Sequence, residues 1–413
     1  MPVSKEEREI LRGLGRELME AAHLPVQEEK KKLWKALNRG EMIRPMVVLD
    51  QFPWHELNVN SELDLHVTDP YWRGVENELR RTLYKWRHFP VDMVIDPFIR
   101  IPRIQSNTGY GLEIHDAVVQ TDTKNDVMSH HYECQVKDWD DIEKFTDLHI
   151  TLHEEATAAV YTEAQEIFDG IGPTQWIGWQ FFLGPWDILT HYMGVEQIYI
   201  DLMDRPDFMK ALVWRVTESI ASGINDCNKL KIHDDNTNVC HCSYTYTDEL
   251  LPDSGMGKGS TSENSWAFGL AQLFSSVSPE IFEEFELPSI TELARHFGMI
   301  YYGCCDRLDN KLDLVKRIPN VKKVSCSPWA DRDAFAEKLD KSLIMSNKPN
   351  PAYVGGDDMN YGTVRDDLLW TCKAAKRGGV GLEFILKDIS TVNYQPERLT
   401  KWAETAMRVV ENY

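Results

Sequence analysis

Long apolar runs, flexible linkers, a repeat of fixed period and an excess of basic residues are all missing from this 413-residue sequence, and each shortage excludes something. The longest apolar stretches, such as 175–185, fall well short of the roughly 20 residues that a membrane-spanning helix needs. Acidic residues outnumber basic ones 66 to 45, giving a formal net charge of −21, which argues against a nucleic-acid partner or an anionic membrane surface. The charged start Met1-Pro-Val-Ser-Lys-Glu-Glu-Arg8 lacks the apolar core of a signal peptide, which predicts a cytoplasmic, reducing setting. The 8 cysteines are then expected as thiols or metal ligands rather than disulfides. With 42% hydrophobic and 27% charged residues and no Pro/Ser/Gly-rich linker, one large domain with extensions is the simplest organisation.

Along the chain, residues 5–37 read as helix, with Leu11, Leu14, Leu18 and Ala22 at spacings of three and four and a stop at Asn38 and Gly40. Residues 1–40 are therefore expected as an N-terminal helical extension, with residues 41–413 forming the main domain. Short β-branched or aromatic runs follow at Arg44–Leu49, Val91–Ile99, Thr174–Phe181, Thr237–Thr245, Met299–Cys304, Lys322–Cys326, Ser342–Ser346 and Val380–Leu386, mostly alternating with amphipathic helical stretches. Eight such units predict an α/β fold, a parallel (β/α)8 TIM barrel, with an open doubly wound sheet as the alternative. No G-x-G-x-x-G follows the first strand, which weakens that alternative. Residues 59–148, rich in Asp, His and Tyr, read as a long insertion near the barrel mouth. In barrels the chemistry lies at the C-terminal strand ends, here 179–185, 241–246, 302–306, 326–329, 347–349 and 387–390.

Gly184-Pro-Trp-Asp-Ile-Leu-Thr-His-Tyr-Met-Gly-Val-Glu196, running on to Leu202-Met-Asp-Arg-Pro-Asp-Phe208, resembles the uroporphyrinogen decarboxylase superfamily. So do Ala36-Leu-Asn-Arg-Gly-Glu-Met-Ile-Arg-Pro45, Ser278-Pro-Glu-Ile-Phe-Glu-Glu-Phe-Glu-Leu-Pro288 and His296-Phe-Gly-Met-Ile-Tyr-Tyr-Gly-Cys304. The resemblance covers about residues 33–410 and implies a distorted parallel barrel. It also implies one of two chemistries. True decarboxylases grip a porphyrinogen with an N-terminal Arg-rich motif, whereas this sequence reads Asp50-Gln-Phe-Pro-Trp-His55 after its first strand, leaving only Arg100 and Arg103 as substitutes. The other branch, corrinoid-dependent methyltransferases, holds zinc with an H-x-C pair and a later Cys. Here the His position is Tyr302, the Cys is Cys304, and the later Cys falls near Lys387 and Asp388.

A rearranged metal site is the expectation that follows, because Cys304, Cys305, Cys326 and Asp388 all sit at predicted strand ends and zinc accepts mixed S, N and O ligands. Glu263 could join from a preceding loop. The competing reading makes Cys304 and Cys326 small buried hydrophobes. The Cys240-His241-Cys242 run reads as strand, where alternation keeps the three side chains from one ion, so His241 is expected as a satisfied core histidine. His130 and His131 read as surface, and Asp187 as a helix N-cap. Gly255-Met-Gly-Lys-Gly-Ser260 breaks the G-K-[ST] order of a phosphate loop and reads as a loop over the mouth.

The candidate catalytic residues are Glu263, Tyr302 and Asp388, the first two as acids toward a leaving group. The candidate substrate-binding set is Trp54, Trp179, Trp186, Tyr246, Trp266, Gln272 and Trp329, an aromatic lining suited to a methoxylated ring or a methylated ammonium. The resemblance implies methyl transfer from such a methyl donor, as in O-demethylation within anaerobic one-carbon metabolism, to the cobalamin-type cofactor of a separate corrinoid protein. This chain shows no D-x-H-x-x-G segment. A homodimer is likewise implied. A metal-independent decarboxylase or lyase, and a non-catalytic ligand-binding barrel, are the alternatives.

Overall fold

The computed structural model describes residues 3–119, 128–234, 239–250 and 259–413. The N-terminal extension is two helices, Lys5–Ala22 and Pro25–Arg39, in place of one. Pro25 has no N–H to continue the first helix and instead opens the second at its first turn.

Seven parallel strands form the central sheet: β1 (Met46–Leu49), β2 (Phe182–Leu183), β3 (Trp266–Gly269), β4 (Met299–Tyr302), β5 (Val321–Cys326), β6 (Ile344–Asn347) and β7 (Gly381–Leu386). Their order is β1-β7-β6-β5-β4-β3-β2, so each neighbour after the first step is also a sequence neighbour, the mark of repeated right-handed crossovers. Among the described residues the sheet does not close on itself; β1 and β2 are its edges.

Alternation along the strands sorts the residues onto two faces. The register places Phe268, Tyr301, Lys323, Ser325, Ser346, Glu383 and Met46 on one face, and Ala267, Tyr302, Val324, Met345, Phe384 and Val47 on the other. The second face meets the helices, among them Leu287–Ala294, Tyr361–Gly378 and Glu397–Glu411. The first face is polar for a sheet interior, and it carries the site.

Five of the eight expected strands lie in this sheet nearly as read. The run 91–99 does not: Asp92 donates its N–H to the Val47 carbonyl and accepts from Val47 N–H and Arg44, so it runs beside β1 for one residue, and the chain pairs only from Ile99, against Thr174–Ile177. The described part of 237–245 is an antiparallel hairpin of Val239–Cys240 with Ser243–Tyr244, turned by His241 and Cys242 at positive φ. The insertion 59–148 contributes the helix Pro70–His88 and an exposed hairpin, Asp116–Val119 with Ser129–Tyr132, which bears His130 and His131. No helix among the described residues is long and apolar enough to cross a membrane. Residues 255–258 of the expected mouth loop, 255–260, lie outside the described residues.

Candidate functional site

Three turns at the C-terminal edge of the sheet assemble the site. After β4, Gly303 takes φ +89°, and a Cβ there would stand 2.6 Å from Leu308 Cδ1, so the turn requires glycine. Its N–H reaches the Gly269 carbonyl at the end of β3, while Asp306 Oδ1 accepts from Cys304 N–H at 2.7 Å. After β7, Lys387 continues the polar face and Asp388 adopts φ 56°. After β6 comes Lys348, fixed by its N–H to the Cys326 carbonyl at 2.8 Å.

These turns bring Cys304, Cys305 and Asp388 together, with one ligand atom from each inside a 4.8 Å span. Cys304 Sγ and Cys305 Sγ are 3.6 Å apart, and the Cys305 thiol lies 2.9 Å from Asp388 Oδ2. Lys387 Nζ is 2.9 Å from Cys304 Sγ and 3.0 Å from Asp388 Oδ2. The hydrogen bond between the two sulfurs, aided by the Lys387 ammonium and opposed by burial, brings the Cys304 thiol down to about 7, while the Cys305 thiol is pushed up. Of the two thiols, Cys304 is therefore the more readily ionised.

The donor set suits zinc. Two sulfurs each about 2.3 Å from a tetrahedral ion stand roughly 3.8 Å apart, close to the 3.6 Å found here. Asp388 adds a carboxylate oxygen, leaving a fourth position open. Lys387 places a positive charge at the same sulfur, so a metal would compete with the ammonium for Cys304.

Below the cluster, on the same face, Lys348 donates to the Tyr301 hydroxyl oxygen and to Ser346 Oγ at 3.0 Å, and Tyr301 OH donates to Ser346 Oγ at 2.6 Å. Burial, with the Lys387 charge, lowers the Lys348 ammonium to about 8 despite Glu383. His241 stacks on Phe268, with centroids 3.6 Å apart, and its buried Nε2 has no hydrogen-bond partner among the described residues. It is a core histidine, as expected, but not a satisfied one. Deeper still, Lys323, Glu383 and Ser243 form a buried triad with contacts of 2.6–2.7 Å.

Beside the cluster, Asp187 is not a cap: Gly184 holds that position, and Asp187 Oδ2 accepts from Gln272 N–H at 3.0 Å. Burial raises its carboxyl to about 7, assisted by Asp306 and the Cys304 charge. Next to the end of β1 lies a cavity of about 420 Å³, its walls including Asp50, Met93, Asp96, Arg100, Gln180 and Tyr244. That volume suits a small organic molecule. Asp50 and Tyr244 also line a smaller cavity that reaches Cys242.

Of the expected metal ligands, Cys304 and Cys305 join Asp388, whereas Cys326 stays apart, its thiol raised to about 12 by burial. Glu263 is exposed and precedes β3, with Ser262 bonded to Gly298 ahead of β4, so it lies at the N-terminal edge, opposite the cluster. Tyr302 is on the helix-facing side, donating to Glu286 Oε1 at 2.9 Å; its neighbour Tyr301 faces the site. Trp266 opens β3 at the N-terminal edge, near Lys323, and Trp186 is fully buried with its indole N–H on the Phe285 carbonyl. Trp54 packs between Phe52 and Arg81, Trp179 bridges to His233, and Trp329 is exposed. Tyr246 is buried against Asp96 at the cavity, and Gln272 reaches the site through its backbone. Among the described residues, none of the seven expected substrate-binding residues lines the cavity directly; its aromatic walls are Phe98 and Tyr244. Lys348, Lys387 and Asp187 are residues the sequence reading did not select, although two of them directly follow strands that it did.

No family model and no curated protein sequence matches this chain. Among solved structures, it is similar to a methyltransferase from Methanosarcina mazei, with a TM-score of 0.51 and 13% identity over 92% of this chain and 98% of that one. At that identity the likeness is one of fold, and it extends over nearly the whole of both chains.

Proposed function

We propose that this chain is a methyltransferase whose site is the Cys304–Cys305–Asp388 cluster, and that it moves a methyl group from a small methoxylated aromatic ether or methylated amine to the cobalt of a corrinoid held by a partner protein. The observation that carries this reading is the convergence of two sulfurs and a carboxylate at the C-terminal edge of a parallel sheet, with a cavity of about 420 Å³ lined by Asp50 at the end of β1, the strand paired with β7. The fold shared with a methyltransferase supports it, as does the resemblance to the uroporphyrinogen decarboxylase superfamily, of which the sheet would be a distorted barrel.

Zinc held by these three residues would supply Lewis acidity to the departing heteroatom. The chain's own groups do the rest. The cavity walls orient the donor and exclude water. Asp187, with a carboxyl near 7, holds a proton that it can pass to the leaving oxygen or nitrogen. Lys348 and Lys387 offset negative charge that develops on that atom.

One observation favours a second reading. Two lysines at the mouth are what a metal-independent decarboxylase or lyase of carboxylated substrates would use. The test offers zinc-loaded protein a methoxybenzoate, and separately a methylated amine, with Co(I) cobalamin, and follows the visible spectrum. Methylation of the cobalt that disappears in Cys304→Ser supports methyl transfer. Carbon dioxide release from an arenecarboxylate without cobalt methylation supports the lyase.

A further inference from the structure

Adjacent cysteines rarely present both sulfurs to each other, yet here they are 3.6 Å apart, with different partners on either side. Cys304 Sγ faces the Lys387 ammonium at 2.9 Å, and Cys305 Sγ faces Asp388 Oδ2 at 2.9 Å. Cys304 is buried, but Cys305 is half-buried and Asp388 is exposed, so the pair meets solvent from one side. The other described cysteines form no comparable pair: Cys227, Cys240, Cys242, Cys326 and Cys372 are buried, and Cys134 lies on the insertion.

We infer that Cys304 and Cys305 are a covalent modification site, a dithiol that a hydroperoxide closes to a vicinal disulfide. The Cys304 sulfur, 2.9 Å from the Lys387 ammonium, attacks one peroxide oxygen. The O–O bond breaks, a sulfenic acid forms on Cys304, and the other oxygen takes the Cys304 thiol proton and leaves as water or alcohol. Cys305 sulfur then attacks the Cys304 sulfur, the S–O bond breaks, and the S–S bond forms. Asp388 takes the Cys305 thiol proton and passes it to the departing hydroxide, which leaves as water. Two electrons pass from the thiols to the peroxide.

The site itself stands on the dithiol geometry. Its consequence rests on the proposed metal reading: closure removes both sulfur donors, so oxidant and metal exclude each other. Such a device would silence the site reversibly, since a thiol reductant reopens it.

The test uses the full chain, reduced and washed with chelator, exposed to hydrogen peroxide, alkylated and digested with trypsin. Peptide 296–307 carries both cysteines between two arginines. The expected product has lost two hydrogens, carries no alkyl group and is restored by dithiothreitol. Cys304→Ser and Cys305→Ser each abolish it. Two alkylated thiols after peroxide, oxygen added to one cysteine alone, or a link to a different cysteine would overturn the inference, and the wild-type peptide decides this even if a variant fails to fold. Repeating the exposure with zinc present separates the two readings. Severalfold slower closure is expected, and closure at an unchanged rate refutes the metal site while leaving the dithiol intact.

Discussion

Lys387 Nζ lies 2.9 Å from Cys304 Sγ, so the last strand of the sheet delivers a cation to the sulfur that the fourth strand delivers. The contact crosses the C-terminal edge between turns 83 residues apart in sequence. Together with the hydrogen bond to Cys305, the larger cause, the positive charge of Lys387 holds the Cys304 thiol below its usual value in a largely buried place. Replacing Lys387 with Met should raise the pKa of the Cys304 thiol. A rise of one unit lowers the thiolate fraction near neutral pH about fivefold and each further unit about tenfold, and alkylation of Cys304 in chelator-washed protein slows by about the same factor. An unchanged alkylation rate removes Lys387 from this role.

Asp187 provides a pH test whose sign follows from its raised carboxyl. The folded chain holds this proton up to about 7, whereas the unfolded chain releases it near 4. Between those values the native state binds more protons, so its contribution to stability falls as pH rises and is lost above about 7. Asp187→Asn should leave stability nearly unchanged at roughly pH 4 and raise it by ~2 kcal/mol at roughly pH 8, measured by urea unfolding. If Asp187 also passes a proton to the leaving group, the same variant slows turnover while it stabilises the fold. A variant less stable at the higher pH contradicts the assignment.

Lys323 and Glu383 are both fully buried and 2.7 Å apart. Removing one partner strands the other charge, so Lys323→Met or Glu383→Leu alone should cost about 3–5 kcal/mol. The double variant should recover most of that loss, because desolvation of the pair offsets much of its attraction. Additive losses in a double-mutant cycle would show that the two do not act as a pair.

Trp186 separates packing from binding. Its indole is fully buried and donates to the Phe285 carbonyl at 3.2 Å, away from the cavity walls. Trp186→Phe should lower stability by ~1–2 kcal/mol through the lost hydrogen bond and volume, with KM for the methyl donor unchanged. A large rise in KM at full stability would return Trp186 to the substrate set.

The strands legible in the sequence are those with sustained β-branched or apolar runs, such as Val321–Cys326 and Gly381–Leu386. Trp266–Gly269 is not among them, because its four residues run without a break into the mostly apolar Leu270–Phe274 and no alternation marks where the strand ends, and its place in the sheet comes from pairing with β4 and β2. Cys304, Cys305 and Asp388 can be selected because strand ends in parallel sheets point to the site, and that rule needs only the strand boundaries. Choosing between Tyr302 and Tyr301 needs the register. Both are fully buried, one against the helices and one against Lys348, so hydrophobicity cannot tell the faces apart. Asp187 is hidden for another reason: its place near a helix start suits a cap, and its true partner, Gln272, lies 85 residues away. Glu263 misleads because the loop containing it leads into β3 at the far edge of the sheet, which cannot be seen while that strand is unrecognised.

The most direct measurement is the zinc content of chelator-washed protein after reloading and desalting, by plasma mass spectrometry, for the wild type and for Cys304→Ser and Asp388→Ala. The expected result is about one zinc per chain in the wild type, consistent with a single three-ligand site, and a loss of most of it in both variants. A wild-type protein that retains no zinc, or variants that retain all of it, would contradict a metal site at Cys304, Cys305 and Asp388.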